Sequence, residues 1–171
     1  FYAGYVWGGQ DVVRSLALSW LVVAALPICV VDFKHYLIPD GVVFPGMGIG
    51  LLLSFFSESL PFTTALAGGA LSAGGLYLFG ALSSRVLKKE ALGFGDVKLL
   101  GMLGVFMGPS GAYVTLICAA FIGLIGTVGI RIIKGRNFNT PLPFGPYIIL
   151  TALPVFLWEN EIIKGYFDLV M

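Results

Sequence analysis

Two aspartates, Asp32 and Asp96, stand beside apolar runs in which charged residues are rare. Asp32 follows the apolar segment 24–31, and Asp96 ends the sequence Gly-Phe-Gly-Asp at 93–96. A charged side chain in or beside lipid is costly and is a candidate for function by default. If the two carboxyls approach each other, one can take a proton from water while the other donates a proton to a carbonyl oxygen. Like charges about 3 Å apart cannot both ionise, so such a pair would share a proton and titrate as one unit.

The glycines before Asp96 allow two interpretations. Gly93 and Gly95 permit positive φ and close backbone approach, so an extended segment there could pair with a substrate strand or set Asp96 against its partner. The alternative is that Asp96 is only the N-cap of the helix that follows, with both glycines in a loop. Spacing alone leaves both interpretations open.

Asp40 and Lys98 are candidate supporting residues. Asp40 follows a proline and precedes a glycine, which is typical of a turn residue or an N-cap. Its second interpretation is a carboxylate that supports Asp32. Lys98, two residues after Asp96, either snorkels to the lipid headgroups or pairs with a carboxylate.

The composition limits the class of protein that could hold these residues. Of 171 residues, 58% are hydrophobic and 11% are charged, whereas soluble domains carry about 25% charged residues. This excludes disorder and makes a water-soluble globule untenable, because small domains bury proportionately less of their surface. The net charge of +1 predicts no nucleic-acid partner. The two cysteines, Cys29 and Cys118, form no CxxC pair, so no metal site is predicted.

The apolar runs predict an all-α integral membrane protein of a single domain, residues 1–171, with about six transmembrane helices, some of them short or broken. Turn and breaker clusters separate the runs. The predicted helices are approximately Val12–Val31, Val42–Phe56, Phe62–Leu82, Val97–Phe106, Gly111–Ile133 and Phe144–Trp158.

The distribution of basic residues predicts the orientation. In this arrangement, eight of the ten Lys and Arg residues lie on one side of the membrane: Lys34, Arg85, Lys88, Lys89, Lys98, Arg131, Lys134 and Arg136. The opposite side receives Arg14 and Lys164. The positive-inside rule makes the first side cytoplasmic and puts the N-terminus outside. Asp32 and Asp96 then lie on the cytoplasmic side at a similar depth. The residues expected to hold anionic lipid headgroups are Lys88, Lys89, Arg131, Lys134 and Arg136.

Three motifs, in order along the chain, resemble those of the bacterial type IV prepilin peptidases, which are GxGD-type intramembrane aspartic proteases. The first is Val31-Asp32-Phe33-Lys34-His35-Tyr36-Leu37-Ile38-Pro39-Asp40, and the second is Gly93-Phe94-Gly95-Asp96-Val97-Lys98-Leu99-Leu100. The third is Leu142-Pro143-Phe144-Gly145-Pro146-Tyr147. The resemblance spans nearly the whole chain.

The resemblance implies that Asp32 and Asp96 are catalytic and that Gly93, Gly95, Lys98, Asp40, Phe144 and Gly145 support them. It implies a bacterial inner-membrane endopeptidase whose substrates are type IV prepilins or pseudopilins. The short basic leader would be cleaved after its terminal glycine at the cytoplasmic face. The helix dipole favours negative charge at Asp96, at a helix start, over Asp32, at a helix end, so we expect Asp96 to act as the base.

Bifunctional members of this family also carry an upstream segment with paired CxxC motifs and N-methylate the new terminus with S-adenosylmethionine. This chain starts at Phe1 without those cysteines, so we expect it to be the C-terminal peptidase core of such an enzyme. No cofactor is expected for the peptidase, and S-adenosylmethionine and zinc are expected only with the upstream region.

The same residues also fit functions from different classes. A small transporter or channel would place aspartates among Gly-rich, broken helices, although nearer the middle of the bilayer. In a non-catalytic scaffold, the aspartates would only cap helices. Within the protease class, the pattern also fits a presenilin-like or an archaeal preflagellin peptidase.

Overall fold

A computed structural model describes residues 12–57, 60–88, 92–134 and 143–170, with side chains described to 126 and 158 in the last two ranges. All regular secondary structure in these ranges is helical, which confirms the predicted all-α class for this part of the chain. The helices are α1 (Val12–His35), α2 (Asp40–Ser54), α3 (Phe62–Leu87), α4 (Phe94–Lys134) and α5 (Gly145–Val170). Lys89, Arg136 and Leu142 lie outside the described residues, as do the side chains of Arg131, Lys134 and Lys164.

By length and composition alone, three segments of the described chain could cross a membrane: Val12–His35, Phe62–Leu87 and Phe94–Gly126, the last of which is interrupted at Gly108. Asp40–Ser54 and Gly145–Trp158 are shorter apolar helices. Large apolar side chains such as Leu26, Leu78 and Leu124 are more than half exposed, as expected of surfaces that face lipid rather than water. The chain therefore belongs to the multi-pass membrane class, while six crossings and an external N-terminus stay predictions.

Helix α4 is interrupted at Gly108, where φ is +68° and ψ is 177°. The Thr115 hydroxyl contacts Met107 Sδ at 3.5 Å, although eight residues of straight helix would separate the two by about 12 Å. The chain therefore turns back at Gly108, which separates a first arm (residues 94–107) from a second arm (residues 109–134). Glycine suits this position because its positive φ strains other residues. The turn lies where the sequence predicts the boundary between the fourth and fifth helices.

The first arm of α4 is held at the centre of the bundle. A methyl group on Gly68 of α3 would overlap the Gly104 carbonyl oxygen, and one on Gly104 would overlap that of Gly68. Small residues allow such close helix crossings in membrane proteins. The side chains of the arm are almost all buried, namely Val97, Leu99, Leu100, Met102, Leu103, Val105, Phe106 and Met107.

Two predicted boundaries shift in a way that matters for the site. Helix α1 continues to His35 rather than ending at Val31, so Asp32 lies inside its last turn. Helix α4 begins at Phe94 rather than Val97, so Asp96 lies in its first turn. Both changes put the carboxylates on regular helix, whose backbone is more rigid than a loop.

Candidate active site

Asp32 is buried at the end of α1, with 4% of its surface exposed. Its Oδ2 accepts a hydrogen bond from the backbone N–H of Gly145, the first residue of α5, at 2.9 Å. A methyl group on Gly145 would lie 2.8 Å from this oxygen and 3.3 Å from Cγ. The absence of a side chain at Gly145 therefore allows α5 to begin directly against the carboxylate.

This contact changes the argument from helix dipoles. The sequence places Asp32 only at the C-terminal end of α1, where the dipole opposes negative charge. The structure also brings it to the N-terminal end of α5, where the dipole and the Gly145 N–H favour negative charge. Because the dipole of α5 favours a negative charge at Asp32 and the dipole of α1 opposes it, the two effects offset each other. Helix dipoles therefore no longer favour Asp96 over Asp32 as the base.

Asp96 is half-buried in the first turn of α4, and its backbone N–H donates to the Gly93 carbonyl oxygen at 3.1 Å. Gly93 and Gly95 do not have the positive φ and the extended backbone that the sequence suggested for them. Neither Gly93 nor Gly95 has positive φ, and because α4 already begins at Phe94, the segment is not extended there. Asp96 is not the N-cap either, because it lies inside the helix.

The side chain of Ile38 contacts the start of α4, which carries Asp96, and the start of α5, which contacts Asp32. Methyl groups on Gly95 and Gly145 would lie 3.2 Å from Ile38 Cβ and 3.4 Å from Ile38 Cδ1, respectively. Ile38 is itself 8% exposed. Ile38 therefore acts as a spacer, and the absence of side chains at Gly95 and Gly145 leaves room for it. The first motif includes Ile38, but the sequence alone does not reveal this role.

Asp32 and Asp96 line one cavity of about 460 Å³ at the end of the bundle, hereafter the aspartate cavity. The surrounding surface includes Tyr36, Leu37, Ile38, Phe94, Lys98 and Phe144. The cavity thus combines two acids with apolar walls, an arrangement that can hold a peptide and a water molecule between a proton acceptor and a proton donor.

Asp40 and Lys98 form an ion pair that joins the start of α2 to the first arm of α4. Lys98 Nζ also lies 5.4 Å from the ring centre of Phe94 and 5.8 Å from that of Phe44, within the range of cation–π attraction. The N-cap of α2 is Pro39, and Asp40 is the first residue of the helix. Of the two interpretations of Lys98, pairing with a carboxylate is confirmed.

The structure thus gathers all eight sequence-predicted site residues at one end of the bundle. Four further residues of the aspartate cavity were not among the residues that the sequence predicted for the site: Tyr36, Leu37, Ile38 and Phe94. Ile38 could have been suspected from its place between Leu37 and Pro39 in the first motif, whereas no sequence signal marks Tyr36. Among the described residues, no group of three or more His, Cys, Asp or Glu side chains could hold a metal ion.

Comparisons with known proteins identify the family of the chain. The model of the type IV leader peptidase family matches residues 16–128, which is more than half of the chain. The chain is 34% identical to a prepilin leader peptidase/N-methyltransferase of Xanthomonas campestris over 164 residues, 95% of this chain and 55% of the relative. Proteins of the same description from Stutzerimonas stutzeri and Pseudomonas putida are 33% and 31% identical over 97% and 92% of this chain, again 55% of each relative.

The chain spans about half the length of the curated relatives it matches. No solved structure matches it.

Proposed function

The chain belongs to the type IV leader peptidase family, and we propose on that basis that it is an aspartic endopeptidase that removes the leader from type IV prepilins or pseudopilins. The observation that carries the proposal is the presence of Asp32 and Asp96 in one cavity. The relatives are also described as N-methyltransferases. We propose only the peptidase reaction for this chain, because the reactive groups of the site are two carboxyls.

The proposed reaction uses a water molecule as the nucleophile. One carboxylate takes a proton from this water, whose oxygen attacks the carbonyl carbon of the scissile bond, while the protonated carboxyl donates to the carbonyl oxygen. As the tetrahedral intermediate collapses, the C–N bond breaks and the leaving amine takes up a proton. Such a cycle needs the two carboxyls in different protonation states, and their presence in a shared cavity supports that difference.

The proposed location is the cytoplasmic face of the bacterial inner membrane. The end of the bundle that carries the aspartate cavity also carries Lys34, Arg85, Lys88 and Lys98, whereas Arg14 lies at the opposite end, where it donates to the Phe156 carbonyl oxygen. By the positive-inside rule this distribution favours a cytoplasmic site. Of these residues, Lys88 is a proposed contact for anionic lipid headgroups.

A transporter or channel has less support. A second cavity of about 330 Å³ lies at the Arg14 end of the bundle. Between the two cavities, Leu99, Met102 and Leu103 of the first arm are fully buried. A polar pathway between the cavities would have to displace this packed core, whereas a peptidase needs only the cavity that holds the aspartates.

The proposal is tested by incubating the full chain, purified in detergent, with a purified prepilin. We expect the wild-type protein to convert the prepilin to a product shorter by the leader, and the variants Asp32→Asn and Asp96→Asn to leave it intact. Product mass, read by mass spectrometry, identifies the cleaved bond. A wild-type protein that produces no leader-sized shift would overturn the peptidase proposal, and an Asn variant with full activity would overturn the assignment of the pair.

A further inference from the structure

Tyr36 has an uncommon backbone conformation at the end of α1. Its φ is +54°, and Lys88 is the only other non-glycine residue with positive φ among the described residues. The Tyr36 N–H donates to the Asp32 carbonyl oxygen at 2.9 Å, which closes the last turn of the helix. Glycine is the usual residue at such a left-handed helix end, and a bulky side chain there is strained. Glycine at position 36 would therefore give a more stable end to α1 than tyrosine does.

Tyr36 lines the aspartate cavity. The residue is 50% exposed, so it is not packed into the core. Leu37, which follows it in the chain, lines the same cavity, as do Phe94 and Phe144 from two other segments. An aromatic ring that keeps half of its surface open in a cavity with apolar walls has surface available for a ligand.

The position of the ring is tied to that of the carboxylate. The hydrogen bond from the Tyr36 N–H to the Asp32 carbonyl oxygen fixes the Tyr36 backbone one turn beyond Asp32. We propose that Tyr36 is a substrate-binding residue whose ring packs against the peptide segment beside the scissile bond. This inference rests on the proposed peptidase function. Strained residues of this kind cluster at functional sites, where the function of the side chain offsets the free-energy cost of its backbone conformation.

The experiment compares Michaelis constants and melting temperatures of the wild-type protein and its variants with a purified prepilin as substrate. Tyr36→Gly removes both the ring and the strain, so we expect a higher melting temperature and a KM raised about tenfold, the effect of losing a partly buried aromatic contact. Tyr36→Asn keeps a residue that tolerates positive φ but lacks the ring, and we expect a similar rise in KM. Tyr36→Phe keeps the ring and should hold KM within about twofold of the wild-type value.

Lys88→Gly is the matched control. Lys88 also ends a helix with positive φ, at 52°, but it is not among the residues that line the aspartate cavity. In detergent, without anionic lipid for Lys88 to contact, we expect this variant to gain thermal stability with no change in KM. If Tyr36→Gly and Tyr36→Asn both keep the wild-type KM while the wild-type protein cleaves prepilin, the role of Tyr36 is wrong and the peptidase proposal stands. If the wild-type protein does not cleave prepilin, the peptidase proposal itself fails.

Discussion

The backbone N–H of Gly145 donates to Oδ2 of Asp32 at 2.9 Å, which joins the first residue of α5 to the last turn of α1 across 113 positions of sequence. Because the contact is made by the backbone, its strength depends on how closely α5 approaches and not on a side chain at Gly145. The orientation of a candidate catalytic carboxylate is thus set by the packing of a distant helix.

Replacing Gly145 by alanine should lower kcat without unfolding the protein. The added methyl group would lie 2.8 Å from Asp32 Oδ2, so either the carboxylate or the start of α5 must move. Displacements of about 1 Å in a catalytic site can lower rates about 10²-fold, and we expect a loss between about tenfold and 10²-fold. The measurement is the rate of prepilin cleavage at saturating substrate, with helix content followed by circular dichroism.

Gly48→Ala is the control for Gly145→Ala. A methyl group on Gly48 meets no atom within 4 Å. Because alanine is the better helix former, this variant should keep full activity and gain about 0.5–1 kcal/mol of stability. Equal activity of Gly145→Ala and the wild-type protein would contradict the positioning role of Gly145.

Asp32→Asn and Asp96→Asn should each reduce cleavage by at least about 10²- to 10⁴-fold, the range expected for loss of a general acid or base. Asparagine keeps an oxygen that can accept the Gly145 N–H, so Asp32→Asn should remain folded. Cleavage is followed by gel shift over a dilution series of enzyme. Unfolding of the Asn variants, seen in size-exclusion chromatography, would mean that the loss does not report on chemistry.

Exchanging the charges of Asp40 and Lys98 should recover part of the activity that reversing either charge alone removes. Asp40→Asn is expected to lower kcat/KM by less than about tenfold and stability by less than about 1 kcal/mol, since its carboxylate is largely exposed. Lys98→Asp places like charges together and should be worse. The double variant Asp40→Lys with Lys98→Asp should recover part of the activity. Additive losses in the double variant would show that the pair does not position the site.

Activity should depend on pH as a bell-shaped curve. At low pH both Asp32 and Asp96 are protonated and no base is present, whereas at high pH both are ionised and no proton donor is present. The profile of kcat/KM against pH gives the two apparent ionisations of the pair. A flat profile from about pH 4 to 9 would contradict a shared-proton mechanism.

Gly104→Ala should destabilise the whole bundle. Its methyl group would overlap the Gly68 carbonyl oxygen, so α3 and the first arm of α4 must separate, and overpacking of this kind costs about 1–3 kcal/mol. Thermal melting in detergent measures the change. Gly74→Ala, on α3 in open space, should instead be neutral or stabilising. Equal melting temperatures for Gly104→Ala and the wild-type protein would rule out a tight crossing.

The helical class and the convergence of Asp32 and Asp96 could be predicted from sequence, because apolar runs and breaker clusters fix the order of the helices. The chain reversal at Gly108 was also signalled locally, since glycine and proline stand together there. The helical class and the reversal depend on residues that are neighbours in the chain. The convergence of the two aspartates follows instead from the order of the apolar runs and the distribution of basic residues.

The rest of the site depends on contacts between distant segments. No pattern in the sequence gives the depth at which α5 meets Asp32, which decides the Gly145 contact. The positive φ of Tyr36 could not be predicted either, because tyrosine has no preference for that conformation. The ends of α1 and α4 were misplaced by three or four residues, since the polar residues there are typical of a loop when they in fact line a cavity.

The length of the first arm of α4 is not set by the thickness of the bilayer. Its 14 residues, 94–107, span about 21 Å, against a hydrocarbon core of about 30 Å. A lipid-facing helix this short would thin the bilayer or tilt, but this arm is enclosed by protein, with Leu99, Leu100, Met102 and Leu103 fully buried. The number of residues between Asp96 and Gly108 therefore sets the distance along the bundle from the chain reversal to the Asp96 carboxyl.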